Sequence, residues 1–244
     1  MDIAKLRING ARLRASLEEM AKIGATPAGG VQRLTLTDED KRGRDQIVTW
    51  LKEIDLAVTI DEMGNIFGRR PGTEDSLPPV MSGSHADSQP KGGRFDGILG
   101  VMGALEVMRT LHENKVKTRR PLVIVDWTNE EGSRFAPAMV SSGVWAGKLE
   151  RDYAYGRTDI NGKKFGEELA RIGYKGIDLL EPKDWPVVRK HGLACPLGSL
   201  GGPVTIEKDV FVGPHVLILP NVRIGEGSVI QGGSVVSRNV PPHT

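Results

Sequence analysis

Apolar positions fall into two different rhythms along this chain, and the change comes near residue 200. In the first part, helical and strand-like spacings alternate. Ile3, Leu6, Leu13, Leu17 and Met20 stand among Lys, Arg and Glu at roughly helical intervals, which predicts an amphipathic helix over 3–22. Thr37 reads as an N-cap, followed from Lys41 by Ile47, Trp50, Leu51 and Ile54 on one helical face. Residues 56–60 and 65–69 read as strands around the turn Glu62-Met63-Gly64, and 78–84 as a third strand. Residues 98–111 predict a strong helix with Val101, Leu105, Met108 and Leu111 as its apolar stripe. Residues 121–127 are apolar on both faces, the pattern of a buried strand. Further on, 138–145 reads as a short helix, Ile160-Asn161-Gly162 as a turn, and 164–172 as a helix stopped by Gly173. Helices and strands alternating in this way predict an α/β layer fold, a mixed sheet with flanking helices.

The second rhythm has a period of six. Ile206, Val212, Ile218, Ile224, Ile230 and Val236 recur at that spacing, each followed four residues later by Val210, Val216, Val222, Ser228, Ser234 or Val240. Gly213-Pro214, Pro220-Asn221, Gly225-Glu226-Gly227 and Gly232-Gly233 supply turns between them. An inward aliphatic residue at every sixth position is the mark of a hexapeptide β-helix. At three repeats to a triangular coil there is room for two coils, and coils that stack on neighbours need caps, so two alone are marginal. Between the rhythms, residues 177–203 carry Pro182, Pro186, Pro196 and Pro203 with no clear period, and read as a linker or junction. The expected organisation is thus a domain over 1–176, a junction over 177–203 and coils over 204–242.

Composition narrows the partners. The 244 residues hold 33 Lys and Arg against 31 Asp and Glu, a net charge of +2, so no basic face for nucleic acid is expected. The single Cys195 excludes an internal disulfide and fits a reducing compartment. The first residues have no apolar signal core, and no run of about 18 apolar residues occurs to span a membrane. A cytoplasmic protein is expected, with no membrane partner.

The candidate chemistry gathers in one stretch. Gly83-Ser84-His85-Ala86-Asp87-Ser88 and Gly92-Gly93-Arg94-Phe95-Asp96-Gly97 lie between a predicted strand and a predicted helix. In open α/β sheets such loops, at the carboxyl ends of strands, are where ligands bind. The buried strand over 121–127 ends in Asn129-Glu130-Glu131-Gly132. A His, an Asp and a Glu arriving from parallel strand ends are ligand types for a zinc-like ion. A second Glu beside the ligand Glu is what a metal-assisted hydrolase needs as general base. The blander readings are Asp96 as a helix cap and Glu130 and Glu131 as a solvated loop pair. His112 reads as a surface helix residue, His191 has no supporting motif, His215 occupies an exposed turn and His243 a tail, and Cys195 lacks the basic neighbours of a nucleophile.

Those motifs, with Asn129-Glu130-Glu131-Gly132-Ser133-Arg134-Phe135, Asp159-Ile160-Asn161-Gly162 and Phe165-Gly166-Glu167-Glu168-Leu169, closely resemble the metal-dependent amidohydrolases. That group includes N-carbamoyl-L-amino-acid hydrolases, ureidopropionases and allantoate amidohydrolases. The resemblance covers residues 1–176 and implies hydrolysis of linear C–N bonds in a small ureido or amide substrate. It implies Zn2+ (or Mn2+, Co2+ or Ni2+) held by His85, by a bridging Asp96 and by Glu131, with Glu130 as general base and Asp87 orienting His85. This sequence departs from the family after Gly176. A His-Ile-Glu-Gln-Gly segment with a further ligand His, the dimerisation domain, the Arg for the substrate carboxylate and a late ligand His are absent, leaving three of five implied ligands. Impaired hydrolysis is therefore expected.

A second resemblance covers about 200–242. Pro203-Val204-Thr205-Ile206, Val212-Gly213-Pro214-His215 and 230–236 look like the C-terminal coils of hexapeptide-repeat acyltransferases, left-handed β-helices that pack as trimers and use acetyl-CoA. It implies a homo-oligomer formed through these coils. The catalytic His of that family lies in upstream coils, which have no counterpart here. An acyltransferase fragment with an N-terminal passenger, or an inactive fusion that only binds metal or only oligomerises, are the rival readings. A frameshift, a gene fusion and an engineered chimera each account for the joint.

Overall fold

The computed structural model describes residues 5–173, 205–212, 217–218, 222–231 and 234–244. The predicted junction over 177–203, with His191 and Cys195, lies outside the described residues, as do His215 and the turns Gly213-Pro214, Pro220-Asn221 and Gly232-Gly233. The chain divides into two compact units, Met1–Lys175 and Gly176–Thr244.

The first unit is a four-stranded mixed sheet with helices. Its strands are β1 (Ala57–Ile60), β2 (Ile66–Arg70), β3 (Val80–Ser84) and β4 (Leu122–Asp126), in the order β1-β2-β4-β3. β1 pairs antiparallel with β2 and β2 antiparallel with β4, whereas β3 runs parallel to β4 with Ser84 opposite Asp126. The parallel pair is joined by α3 (Ile98–Glu113), as a crossover between parallel strands requires. The loops that follow β3 and β4 therefore leave the sheet on the same side.

Helix α1 (Gly10–Lys22) starts later than the apolar spacing predicts. Asn9 stops it: the Asn9 side chain accepts the Arg12 N–H at 3.0 Å, and the Asn9 N–H donates to the buried Glu106 carboxylate on α3 at 2.9 Å. Residues 6–9, including Leu6, are not helical, and residues 1–4 lie outside the described set. Helix α2 (Asp38–Lys52) begins at its expected cap, with Thr37 Oγ1 accepting the Asp40 N–H at 3.3 Å, and three acids in the first turn favour that end of the helix. Leu17, Met20, Ile47, Leu51, Ile66, Val101, Leu105, Met108 and Ile124 join the helices to one face of the sheet in a continuous core. After β4 come α4 (Val140–Trp145), α5 (Arg151–Tyr155) and α6 (Phe165–Arg171), with Gly173 at positive φ just past the last. The spacing of apolar residues gave no sign of α5.

Among the described residues of the second unit six two-residue strands run in order: β5 (Thr205–Ile206), β6 (Phe211–Val212), β7 (Leu217–Ile218), β8 (Arg223–Ile224), β9 (Val229–Ile230) and β10 (Val235–Val236). β5 pairs with β8, β6 with β9 and β7 with β10, all parallel and all between positions 18 residues apart. Ile218, Val222, Ile224, Ile230 and Val236 form the core, with Ile206, Val210, Val212 and Val240 packed against it. These are the two phases of the six-residue repeat.

Candidate metal centre

His85 follows the last residue of β3, and its ring is buried. Glu130 and Glu131 follow β4 by a few residues, in a loop turned by Asn129 at φ +57°. Asn is one of the few residues with a side chain that tolerate this region. The Asn129 side chain fixes the curl by donating to the Phe135 carbonyl at 2.7 Å, and Met139 N–H donates back to the Glu130 carbonyl at 2.7 Å. Asp96 comes from the turn before α3. The N-cap of that helix is Gly97, with no side chain capping it, so Asp96 does not serve as the cap.

His85, Asp96 and Glu131 each offer a ligand atom, and the three atoms lie within 4.8 Å of one another. His85 is buried, Glu131 half-buried and Asp96 exposed, so the set opens to solvent on the Asp96 side. Gln89 donates to Glu131 Oε2 at 2.9 Å. Glu130 stands beside the set with its Oε2 3.2 Å from His85 Nε2. Burial raises the Glu130 pKa; His85 pulls it down, and the charges of Asp87, Glu131 and Asp96 push it up further. Burial on its own lowers the His85 pKa, but hydrogen bonding and charge from Asp87, with a smaller contribution from Glu130, reverse this and raise it to about 9.

Asp87 is the hub of the two loops. Its Oδ1 accepts the Glu130 N–H at 3.1 Å and its Oδ2 the Glu131 N–H at 3.3 Å, while Thr35 donates its hydroxyl to Oδ2 at 2.7 Å. Toward His85 the nearer partner is the Asp87 backbone carbonyl, 2.9 Å from Nδ1, with the carboxylate at 3.5 Å. The carboxylate thus ties the β4 loop to the β3 loop, and the backbone of the same residue orients the imidazole. Gly97, at φ +65°, lies under the ring, where a Cβ would sit 2.3 Å from it. Thr35 and Gln89 are not expected at the site from the sequence, and Gly97 and Asn129 stand there only as motif members with no role of their own. Only the positive-φ preference of Gly and Asn offered a signal for the last two. His112 is exposed at the far end of α3, away from the set. A cavity of about 420 Å³ lined by Arg12, Ser16, Trp50, Glu53, Arg109 and Glu113 involves none of the ligand-type residues.

A mixed sheet and the turn before α3 that together bring one imidazole and two carboxylates within 4.8 Å, beside a spare carboxylate, define an α/β protein with a candidate divalent-metal site. Residues 80–212, more than half of the chain, match the peptidase family M20/M25/M40, and the chain belongs to that family. Residues 203–238 match a second model, bacterial transferase hexapeptide (six repeats). The chain is 53% identical over 170 residues to an N-carbamoyl-L-amino-acid amidohydrolase of Rhizobium meliloti, covering 70% of this chain and 41% of that protein. It is 33% identical to a ureidoglycolate hydrolase of Arabidopsis thaliana, over 70% of this chain and 36% of that one. A hydantoinase/carbamoylase family amidase of Burkholderia ambifaria superimposes with a TM-score of 0.69 at 52% identity, over 70% of this chain and 42% of its own. The chain spans roughly two fifths of the length of these relatives.

Among the described residues no helix is long and apolar enough to cross a membrane.

Proposed function

We propose that residues 1–176 form the catalytic core of a metal-dependent amidohydrolase acting on linear C–N bonds, with an N-carbamoyl-L-amino acid or a related ureido or amide as substrate. The observation that carries this reading is the meeting of His85, Asp96 and Glu131 within 4.8 Å, with Glu130 beside them. The donor set fits the ion: one imidazole and two carboxylates suit Zn2+, and Mn2+, Co2+ or Ni2+ as well. A divalent ion held there supplies positive charge that polarises the scissile carbonyl and acidifies water.

The chain's own residues do the rest. Glu130 takes the proton of the attacking water and hands it to the departing nitrogen, the role of a general base that turns acid. Its backbone N–H on Asp87 keeps the carboxylate beside the ligand set. Asp87 holds Glu130, Glu131 and His85 in one frame, as outer carboxylates do around metal sites. The relatives named above are an N-carbamoyl-L-amino-acid amidohydrolase, a ureidoglycolate hydrolase and a hydantoinase/carbamoylase family amidase, which supports the substrate class. The His-Ile-Glu-Gln-Gly segment that the resemblance places after Gly176 does not follow there, and a slow turnover is expected. The test is release of the amino acid from N-carbamoyl-amino acids by the metal-loaded chain and by Glu130→Gln. A slow rate that vanishes in Glu130→Gln supports the reading, and a rate untouched by that substitution overturns it.

We infer also that residues 204–242 build a short left-handed parallel β-helix of two coils, joined to the catalytic core through a junction over 177–203, and that the coils assemble copies of the chain. The three parallel pairs at an 18-residue offset support this, because 18 residues make three six-residue sides. Exposed Phe211 and Val229, opposite each other on β6 and β9, give one face an apolar character suited to contact.

A further inference from the structure

Thr35 lies between α1 and α2, far in sequence from the ligand-type residues. Several contacts bring its segment alongside the loop after β3. Val31 and Gly92 exchange backbone hydrogen bonds at 3.0 and 2.9 Å. Arg33 donates its N–H to Ser88 Oγ at 2.8 Å, Ser88 N–H returns to the Arg33 carbonyl at 2.9 Å, and the Arg33 guanidinium reaches the Ala86 carbonyl at 3.0 Å. The segment is thus laid strand-like against 86–92. At its end the Thr35 hydroxyl meets the Asp87 carboxylate at 2.7 Å, the shortest of the hydrogen bonds that carboxylate accepts, with both side chains buried.

Thr35 is itself gripped from behind. Its carbonyl accepts Arg134 Nη1 at 2.8 Å. Arg134 is held by Asp159 at 3.1 Å and by Glu168 of α6 at 2.7 Å. A chain of charged and polar contacts therefore runs from α6 through Arg134 and Thr35 to Asp87, and from Asp87 to the backbones of Glu130 and Glu131.

We propose that Thr35 is a positioning residue for the metal site: its hydroxyl fixes the Asp87 carboxylate, and through it the mutual placement of His85, Glu130 and Glu131. The inference rests on the metal-site reading above. The two N–H donors at 3.1 and 3.3 Å are longer than the Thr35 contact and come from a loop, so without the hydroxyl the carboxylate is held only by these weaker contacts. Outer partners of metal ligands commonly change affinity about 10- to 100-fold when removed.

The experiment is a titration of metal-free full-length protein with Zn2+, read by calorimetry, and with Co2+, read by its visible absorption, for wild type, Thr35→Val and Thr35→Ser at one fixed pH. Thr35→Val keeps the shape and loses the hydroxyl, whereas Thr35→Ser keeps the hydroxyl. Zn2+ affinity is expected to fall about tenfold in Thr35→Val and to stay within about threefold of wild type in Thr35→Ser. The Co2+ spectrum should shift in the Val variant alone. If Thr35→Val does not fold, Thr35→Ala carries the same comparison. Affinity and spectrum unchanged by loss of the hydroxyl, or a Ser variant as impaired as the Val variant, overturn the proposal while leaving the metal site standing. A wild type that takes up neither ion overturns both.

Discussion

A Cβ added to Gly97 would lie 2.3 Å from the imidazole of His85. The glycine is therefore the floor on which the ring rests, and it also turns the chain from Asp96 into α3 at φ +65° and ψ −55°. Two of the three ligand-type residues depend on that one backbone position. Gly97→Ala should cost about 1–3 kcal/mol of folding stability, because a side chain there is both clashing and strained. It should also weaken metal uptake more than tenfold, because the ring must move. Urea midpoints and dialysis against zinc measure the two effects. Wild-type values for both would mean the ring has room that the geometry does not show.

Arg12 and Glu106 couple α1 to α3 by two hydrogen bonds, at 2.8 and 2.9 Å, and the Glu106 side chain is almost wholly enclosed. Removing one member of a fully buried pair costs about 3–5 kcal/mol, since the other charge is left without a partner. Arg12 is partly exposed, and Glu106 keeps the Asn9 N–H, so Arg12→Met is expected to cost about 2 kcal/mol. A change below about 0.5 kcal/mol in denaturant unfolding would contradict this.

Stability should fall as pH rises from about 4 to about 7 because of Asp40. It is buried in the first turn of α2, with one carboxylate oxygen on the Leu36 N–H and the other without a hydrogen-bond partner. Burial raises its pKa, Arg44 and the Leu36 N–H lower it, and Asp87 and Asp126 raise it, to about 7 against an ordinary 3.8; Arg33 also faces the group. Between those two values the folded state holds a proton that the unfolded state has lost. This group's contribution is therefore full at and below about pH 4, is lost progressively up to about pH 7 and stays lost above. Asp40→Asn removes the titration. Denaturant midpoints at pH 5 and pH 8 should drop less for the variant than for wild type, and equal drops would rule Asp40 out as the source.

Assembly through the coils has its own test. Deleting residues 200–244 should shift the protein to a smaller species in sedimentation equilibrium. The same number of chains per particle before and after the deletion would place self-association outside residues 200–244.

How much the sequence disclosed depended on how local the cause was. Helix α3 and strand β4 have strong periods of their own and appeared within two residues of their expected limits. The core of the second unit fell on the repeat positions because a period of six repeats the same cause six times. Helix α1 starts later than Ile3 and Leu6 suggest because Asn9 caps it through the Arg12 N–H, a local cause that the apolar spacing hides, and is held in place by Glu106, 97 residues away. Helix α5 has five residues and buries one, Ala154, which is too little to make a pattern. Arg33, Arg44 and Glu106 carry charges and yet lie in the interior, because they are met there by Ala86, Thr128 and Arg12 from distant segments. The same holds at the site. His85, Asp96 and Glu131 stood out because each belongs to a strand end or a helix start. Thr35 did not, since nothing near it in sequence announces that it meets Asp87.

Equilibrium dialysis of the metal-free chain against zinc, repeated with manganese and cobalt, tests the central claim most directly. About one equivalent of ion per chain is expected, readily removed by a chelator and lost in His85→Ala and in Asp96→Ala, because three protein ligands hold one ion and serve a second poorly. No uptake by the wild type, or uptake that both substitutions leave unchanged, would contradict the account.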